Sequence, residues 1–573
     1  MYIRKLTRVK DGKPHHYWAL VESYRTERGP RQRVVAWLGE MDESGRLGVE
    51  NAAEGGAGVQ RRLFNDVKPD SVEININGVR VENIKDLGGP WLGLELMRRL
   101  EIDRFFQEHI PRGKEGIGWA EMAKVLILCR FCHPSSELHI AEHFYEKTAL
   151  SDLLGIPCDR VNDDRLYRAL DKLLPHKGDL EKHLKEKIGS LFKVDYDLYL
   201  YDVTSTYFEG QAKSNPLAKR GYSRDQRGDC KQVCIGLVVT RDGFPLGYEI
   251  FAGNRTDVTT VKEIIETMEN RYGKANRIWV MDRGMASEAN FEFLNKEGRR
   301  YILGANRGQL KQYETELLKT DWRVVHSGLE VKLVDGPDDK EVFILCRSRD
   351  RAEKERAMHD RFEKRIEDGL RQMAQGCEKL KYKVKVIERR IGKLLGKNSR
   401  GAGLFDVEVS ESPNGGAQIT WTKKEKWREW SQLSEGCYML RSNIRDWSPE
   451  ELWKAYTQLT EAEDAFRIHK SDLSIRPVWH QKEGRVQAHI LICFLAYVLW
   501  KTLGRLCKNA GLGVEPRKVQ WELAQIKLTD VILPTRNGTE IRLRRVETPD
   551  AHQRIILQRL KLTLPRRFEK HTL

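Results

Sequence analysis

The chain of 573 residues is too long for one hydrophobic core, which predicts three or four domains. Hydrophobic residues make up 40% and charged residues 32% of the chain, which excludes general disorder, and the most apolar stretch, 489–499, is too short to span a bilayer. The net charge of +16 favours polyanionic partners, nucleic acid before anionic membrane, and the ten scattered cysteines favour a reducing cytoplasm.

The first 90 residues are predicted to form a β-rich, basic region. Strand patterns separated by turn residues follow one another at 2–9, 16–24 and 32–38. Residues 41–60 hold five glycines and few apolar residues, which is typical of a linker. Asn77 and Gly78 then predict the turn of a second hairpin, with strands at 71–76 and 79–84.

Residues 91–192 change to a helical period and are predicted to form an all-α domain, which is a candidate DNA-binding domain because of one basic helix within it. Asn162 is a predicted N-cap, and the helix after it carries leucines along one face. Arg165 and Arg168 project from other faces of this short helix and are candidate DNA contacts in a major groove. A basic amphipathic helix of an ordinary bundle is the commoner explanation of the same pattern.

Residues 193–305 alternate between strand and helix patterns in the order β-β-β-α-β-α-β, which predicts an α/β sheet. Asp202 ends the first predicted strand and Asp282 ends the fourth. In this topology the two strands can lie side by side, so that both carboxylates reach one edge. Carboxylates that close repel each other unless a cation lies between them, and hard oxygen ligands suit Mg²⁺ or Mn²⁺. Taken singly, each aspartate is better explained as a turn residue.

A third acid lies on a helix that begins with a predicted capping box at Ser448 and Glu451. Steps of four and three residues from Leu452 place Glu463 in the middle of an otherwise apolar stripe. A buried carboxylate is costly unless it is paired or binds a metal, so Glu463 is a candidate metal ligand. A salt-bridged or snorkelling glutamate at a helix interface is the alternative.

The segment from Tyr456 to Lys470 resembles the Y-x-x-R-x-x-x-E-x(6)-K signature of bacterial insertion-sequence DDE transposases with an RNase H-like catalytic domain. Tyr456, Glu463 and Lys470 fall at the family spacing, whereas Leu459 stands where the family has arginine. The basic β-rich start is similar to that of a large subgroup of these enzymes. The resemblance therefore spans nearly the whole chain.

The resemblance implies a transposase that cleaves DNA at the ends of an insertion sequence and transfers the 3′-OH into target DNA. It implies two divalent metals in each active site, Mg²⁺ or Mn²⁺, with Asp202 on both and Asp282 and Glu463 on one each. The implied partners are double-stranded DNA, as terminal inverted repeats and as target, and further copies of the chain in a homodimer or higher oligomer. The implied location is the bacterial cytoplasm, with the nucleoid.

Further DNA contacts are predicted for residues on or beside the glutamate helix and next to the second aspartate. These candidates are Tyr456, Arg467, Lys470, Arg283, Arg476 and His480. Trp421, Trp427 and Trp430 are candidates for stacking on an unpaired base, although core packing explains any one of them better.

The implied fold class is an α/β, RNase H-like mixed-sheet core with an all-α N-terminal domain and an α+β insertion domain. The predicted boundaries are 1–90 (β-rich), 91–192 (helical), 193–305 with 437–510 (catalytic core), 306–436 (insertion) and 511–573 (basic C-terminal region). The charged helical pattern at 347–395 is typical of a solvated helix pair, with a dimer contact as the alternative. Two other functions stay open, an RNase H-fold nuclease that cuts without joining and a catalytically silent DNA-binding repressor.

Overall fold

The structure, a computed structural model, describes residues 2–10, 13–26, 29–39, 73–336, 340–413, 415–536 and 538–565. The predicted linker at 41–60 lies outside these residues. The chain divides into two compact units. The helical unit comprises Met1–Phe192, Ile468–Arg476 and His480–Leu573, and the sheet unit comprises Lys193–Arg467 and Pro477–Trp479.

The N-terminal region contains β1 (Tyr2–Lys10), β2 (Lys13–Thr26) and β3 (Gly29–Gly39), which form an antiparallel sheet in chain order. The strands run further than their patterns predicted. The reason is that pairing continues to Lys10, which pairs with Lys13, and to Thr26, which pairs with Gly29.

A short strand, β4 (Arg80–Asp86), precedes the helices of the helical unit. In the N-terminal part of this unit, the helices of eight or more residues are α1 (Gly88–Arg99), α2 (Ile102–His109), α3 (Trp119–Cys132), α4 (Asp163–Leu173) and α5 (Lys177–Phe192). Shorter helices lie at Glu137–His139, Ile140–Phe144, Tyr145–Lys147 and Leu150–Leu154. Asn162 caps α4 as predicted, because its side chain accepts a hydrogen bond from the backbone amide of Arg165 at 2.9 Å.

The sheet unit takes its name from its strands. In chain order these are β5 (Leu198–Tyr207), β6 (Gln232–Thr240), β7 (Pro245–Ala252), β8 (Ile278–Met281), β9 (Arg300–Gly304), β10 (Arg323–His326), β11 (Leu329–Asp335), β12 (Val342–Ser348), β13 (Phe405–Glu411), β14 (Ala417–Lys423) and β15 (Cys437–Ser442). Among the described residues, β13 and β14 pair with each other, and the others form one nine-stranded sheet in the order β10-β11-β12-β15-β9-β8-β5-β6-β7.

The sheet is mixed, because β5, β8 and β9 run parallel to one another while every other pairing is antiparallel. Strands β6 and β8, neither of them at an edge of the sheet, are buried along their whole length, as their runs of β-branched and other large apolar residues favour. Helices α6 (Val261–Tyr272) and α7 (Glu288–Lys296) contribute Ile264, Ile265 and Leu294 to the core beside the sheet.

The predicted insertion at 306–436 is only partly separate from the main sheet. Strands β10, β11 and β12 extend that sheet, since β12 pairs with β15 and β15 pairs with β9. The part with a core of its own contains α8 (Arg349–Lys379), α9 (Val384–Lys397), the β13–β14 pair and α10 (Glu425–Ser434), with short helices at Glu314–Leu318 and Ser399–Ala402 in the same half of the unit. Ile366, Leu370, Ile387 and Ile391 are the centre of that core.

The predicted glutamate helix is in fact two helices, α11 (Pro449–Thr457) and α12 (Thr460–Ser471). The predicted capping box is present at the start of α11, where Ser448 and Glu451 exchange side-chain and backbone hydrogen bonds. The helix breaks at Gln458 and Leu459, where the Leu459 amide donates to the Tyr456 carbonyl at 3.0 Å in a tighter turn.

The C-terminal part of the helical unit begins with α13 (Glu483–Asn509), followed by α14 (Pro516–Ala524) and, later, α15 (Ala551–Arg559). Helix α13, which the sequence assigned to the catalytic core, packs against α3 and α4 in the helical unit. By length and composition α13 is the one helix among the described residues that could cross a bilayer. Of its most apolar window 78% is buried inside the structure, as in the core helix of a bundle.

The prediction of a second hairpin around Asn77 and Gly78 is wrong. Residues Ile76–Gly78 form a single 3₁₀ turn, and neither Asn77 nor Gly78 has the positive φ that the predicted turn requires. Strand β4 instead pairs antiparallel with β16 (Lys527–Pro534), which also pairs with β17 (Glu540–Val546). The partner of β4 therefore comes from the other end of the chain.

Candidate active site

Asp202 and Asp282 lie side by side because of the register of two parallel strands. Tyr201 of β5 is paired with Met281 of β8, and each aspartate is the next residue along its strand direction. Neighbouring strands are about 4.8 Å apart. The predicted adjacency of the first and fourth strands is therefore present.

The sequence predicted that Asp202 ends its strand, and this prediction is wrong. Strand β5 continues to Tyr207, which pairs with Gln232 of β6. What ends at Tyr201 is the parallel pairing with the shorter strand β8. Asp202 thus stays on a rigid strand with an antiparallel neighbour, while Asp282 follows the last residue of β8 and is exposed.

The two carboxylates form an electrostatically strained pair. Burial raises the pKa of Asp202 to about 7, and the charges of Asp282 and Asp257 contribute to the rise. The Val203 amide, which donates to Asp202 Oδ1 at 2.7 Å, and the positive charge of Arg224 oppose it. Such a pair is relieved by a positive charge placed between its members.

Asp257 and Arg224 belong to this site, although sequence reasoning missed both. Arg224 Nη2 donates to Asp257 Oδ2 at 2.5 Å. A Cβ added to Gly284 would lie 3.6 Å from Asp257 Oδ2 and 3.9 Å from Asp282 Oδ2, so these two carboxylates flank Gly284.

The sequence held a signal for one of these two residues. Asp257 begins the 3₁₀ turn Asp257–Thr259 shortly after β7. Strand β7 runs in the same direction as β5, because both are antiparallel to β6. It therefore follows the same rule of an acid beyond a strand end that identified the first two aspartates. Arg224 lies between β5 and β6, outside any strand or helix, where no periodic pattern could have indicated it.

Tyr456 reaches the second aspartate from α11. Its hydroxyl donates to Asp282 Oδ1 at 3.5 Å, a long hydrogen bond, and burial followed by the charge of Asp282 raises the pKa of the phenol. Gly304 of β9 leaves room for this contact. A Cβ at Gly304 would come within 2.8 Å of the Tyr456 hydroxyl and 2.9 Å of the Arg283 backbone nitrogen.

Glu463 is exposed, so the prediction that it lies in the middle of a buried stripe is wrong. The break at Gln458 and Leu459 interrupts the helical phase on which that stripe depended. Leu459 and Phe466 are buried on either side of it in sequence. Among the described residues, no group of three or more His, Cys, Asp or Glu side chains is arranged to hold a metal ion. The two aspartates are therefore gathered without Glu463.

Leu459, which replaces the signature arginine, is a core residue. It is 6% exposed and lies in the tight turn between α11 and α12. The position is thus used for packing in this chain rather than for a polar contact.

The other basic candidates differ in their surroundings. On α12, Arg467 is exposed and pairs with Asp464 at 3.0 Å. Arg283 is exposed beside Asp282. Lys470 and Arg476 are half-buried and belong to the helical unit, as does His480. None of these positions by itself tests a DNA contact.

Three of the candidates have partners within the helical unit. Arg165 donates to the Glu115 carbonyl at 3.1 Å, and Arg168 pairs with Asp164 at 2.7 Å on the exposed face of α4. His480 is largely buried, 3.2 Å from Glu137. Although burial opposes it, the hydrogen bond and charge of His480 lower the pKa of Glu137 to about 2. This contact with Glu137 favours a structural role for His480.

The three tryptophans proposed for base stacking pack internally. Trp421 and Trp427 contact the core around Ile366, and a Cβ at Gly403 would lie 2.6 Å from Trp427 Nε1. Trp430 packs against a second core that includes Phe343. Core packing accounts for all three.

Comparison with known families identifies the chain. Residues 194–499 match the family described as the transposase DDE domain, which is more than half of the chain. The chain therefore belongs to the DDE transposase family, whose members cleave DNA and transfer its strands. Residues 3–60 match the N-terminal domain of IS1634 family transposases. The protein is an insertion-sequence transposase, as the resemblance in its sequence predicted.

The remaining comparisons add little. The curated proteins give no match. Among solved structures, the chain is similar to a piggyBac transposase in a synaptic complex with hairpin DNA, with 8% identity and a TM-score of 0.35 over 76% of this chain and 79% of that chain. The identification rests on the two family matches.

Proposed function

We propose that Asp202 and Asp282 form the centre of the catalytic site for DNA cleavage and strand transfer, on an RNase H-like core formed by β5 to β9. The observation that carries the proposal is the register of β5 and β8, which sets two acidic side chains next to each other at one edge of the sheet. The raised pKa of Asp202 supports the proposal. Burying a carboxylate beside a second carboxylate destabilises the folded protein, and such arrangements are concentrated at functional sites.

The donor set fits a divalent metal ion. Asp202 and Asp282 supply hard oxygen ligands, and their mutual repulsion is the feature that a cation removes. The proposed complement is two Mg²⁺ or Mn²⁺ ions, with Asp202 as the shared ligand. When bound, the metal ions would supply Lewis acidity for activating the attacking oxygen and for stabilising the leaving oxygen.

Glu463 is proposed as the third ligand, on the strength of its place in the family signature. Its exposed position at the start of α12 leaves its carboxylate accessible, and the break before α12 allows that helix to change direction relative to α11. Asp257 is the alternative third ligand, because its carboxylate flanks Gly284 together with Asp282. The two assignments differ in which acid is needed for metal-dependent cleavage.

The chain's own residues would hold the reacting DNA in place. Tyr456 keeps the Asp282 carboxylate oriented through its hydrogen bond. Arg283, Arg467, Lys470 and Arg476 are proposed to contact phosphates near the scissile bond, where charge-assisted hydrogen bonds position the backbone. Arg165 and Arg168 on α4 are proposed as further DNA contacts, and a structural role is favoured for His480.

The proposed substrate is double-stranded DNA, as the terminal inverted repeats of the element and a target. Because two ends must be joined to one target, we propose a homodimer or higher oligomer on DNA. The proposed location is the cytoplasm, with the nucleoid.

An excision assay in cells tests the proposal. A plasmid carries the gene with its flanking chromosomal DNA, so that the terminal repeats are supplied without being known, and the emptied donor site is measured by PCR. Excision by the wild-type chain is expected to be lost in Asp202→Asn and in Asp282→Asn. Asp195→Asn, at an exposed position just before β5, is the matched control. Wild-type excision by either active-site variant would contradict the assignment.

A further inference from the structure

Helix α9 of the insertion has two faces of different chemistry. Ile387 and Ile391 are buried in the insertion core. On the opposite side lie exposed cations at intervals of four residues, one on each turn of the helix. They are Lys385, Arg389, Lys393 and Lys397. At 100° per residue they stay on the side away from the two isoleucines.

These four cations, the α9 basic face, lie on a helix whose charge balance differs from that of the neighbouring helix α8. Helix α8 has nine Lys or Arg residues and eight Asp or Glu residues, and α9 has five and one. On α8, Arg349 pairs with Glu353 at 3.3 Å, and Arg371 pairs with Glu367 at 2.8 Å. Across the described residues, none of the four α9 cations lies within 4.0 Å of a carboxylate. Cations and acids therefore nearly balance on α8, whereas α9 carries an excess of positive charge.

Two glycines lie on the same face, between the cations. Gly392 and Gly396 are exposed, and a Cβ added to either would meet nothing within 4 Å. Packing within the chain does not require them, and glycine is among the poorest helix formers. Because these two positions have no side chain, another backbone can approach the helix closely between the lysines.

We propose that the α9 basic face binds the sugar–phosphate backbone of duplex DNA. The proposal rests on the identification of the chain as a transposase, which supplies DNA as the polyanion. The first and last of the four cations are 12 residue steps apart, about 18 Å along the helix axis, and phosphates along one strand are about 3.4 Å apart along the duplex axis. Successive cations are thus about two phosphate steps apart. Contacts of this kind carry no sequence information, so the face is a general grip rather than a reader of bases.

The test uses the full chain and a mixed-sequence duplex of about 40 base pairs, since phosphate contacts do not depend on sequence. Fluorescence anisotropy gives the dissociation constant at several salt concentrations for the wild type and for K385Q/R389Q/K393Q/K397Q. A charge-matched control, K262Q/K319Q/R349Q/R371Q, removes four exposed cations that each pair with a carboxylate three or four residues away. Circular dichroism checks that both variants are folded.

The α9 variant is expected to bind the duplex at least about tenfold more weakly than the wild type. The slope of the logarithm of its binding constant against the logarithm of the salt concentration is expected to become shallower by roughly three units. The control is expected to stay close to the wild type. Equal loss in both variants would show a general charge effect and would overturn the proposal, as would an unchanged slope in the α9 variant. A loss confined to double-stranded RNA, or to vesicles of anionic lipid, would also overturn it.

A second variant separates surface shape from charge. Gly396→Leu keeps every charge and meets open space in the protein, so it is expected to weaken duplex binding about threefold or more while the thermal midpoint stays or rises. Unchanged duplex binding would contradict close approach at this face. Neither α9 variant changes a residue of the candidate active site. If the α9 variants bind duplex DNA as well as the wild type does, the proposal for α9 fails and the catalytic assignment is unaffected. Loss of excision in Asp202→Asn tests the catalytic assignment and says nothing about α9.

Discussion

The edge where β5 meets β8 and the junction between α11 and α12 carry the two halves of the predicted site, and different forces fix them. At the sheet edge, hydrogen bonds along a ladder set Asp202 and Asp282 side by side. At the helix junction, the facing of Glu463 depends on an unbroken helical phase, which the turn at Leu459 interrupts. A position set by strand register is thus robust to its surroundings, whereas one set by helix phase is lost with a single break.

The largest expected effect separates the two candidates for the third ligand. Glu463→Gln is expected to lower Mg²⁺-dependent cleavage by at least about 100-fold, because a direct metal ligand is lost, and Asp257→Asn by about tenfold or less. Single-turnover cleavage of a DNA duplex bearing the element's end measures both. Glu461→Gln on the same helix is the control. The reverse order of the two variants would make Asp257 the ligand and remove Glu463 from the site.

The packing of the helix junction is tested by restoring the signature arginine. Leu459→Arg is expected to destabilise the protein by about 2–4 kcal/mol, since a charge would enter a position that is 6% exposed. Leu459→Met, which conserves volume, is expected to cost less than about 1.5 kcal/mol. Urea denaturation followed by tryptophan fluorescence measures the change. An arginine variant as stable as the wild type would mean that this turn is open to solvent.

The strain at the sheet edge predicts a dependence of stability on pH. The pKa of Asp202 is about 7 in the folded chain against 3.8 ordinarily, so the folded state holds its proton longer and stability falls as pH rises between these values. In EDTA, Asp202→Asn is expected to raise the thermal midpoint by about 2 °C near pH 8 and by almost nothing near pH 4. A midpoint that is lower than the wild type at high pH would contradict the strained pair.

The smallest expected effect belongs to the contact that joins the two regions. Tyr456→Phe removes a hydrogen bond of 3.5 Å to Asp282 and is expected to slow cleavage by only about threefold to tenfold. Gly304→Ala, which crowds the same hydroxyl and the Arg283 backbone nitrogen, is expected to have the larger effect of the two. Equal activity of Tyr456→Phe and wild type would assign the tyrosine to packing alone.

Much of the catalytic half of the fold could be predicted from the sequence. The order of strands and helices, the caps at Asn162 and Ser448, and the adjacency of Asp202 and Asp282 all follow from local patterns. The hairpin at Asn77 could not be predicted correctly, because its strand pairs with residues more than 400 positions away. The extension of the main sheet by β10 to β12 depends likewise on the late strand β15.

The sequence by itself determined the family, the adjacency of Asp202 and Asp282 and the amphipathic or buried character of most elements, because these depend on neighbouring residues and on spacing. Only the tertiary structure decided that Arg224 and Asp257 stand beside Asp202, that Glu463 is exposed, and that the cations of the α9 basic face lie opposite the buried isoleucines of the same helix. These features depend on which distant segments come together, and a pattern read along one segment carries no information about them.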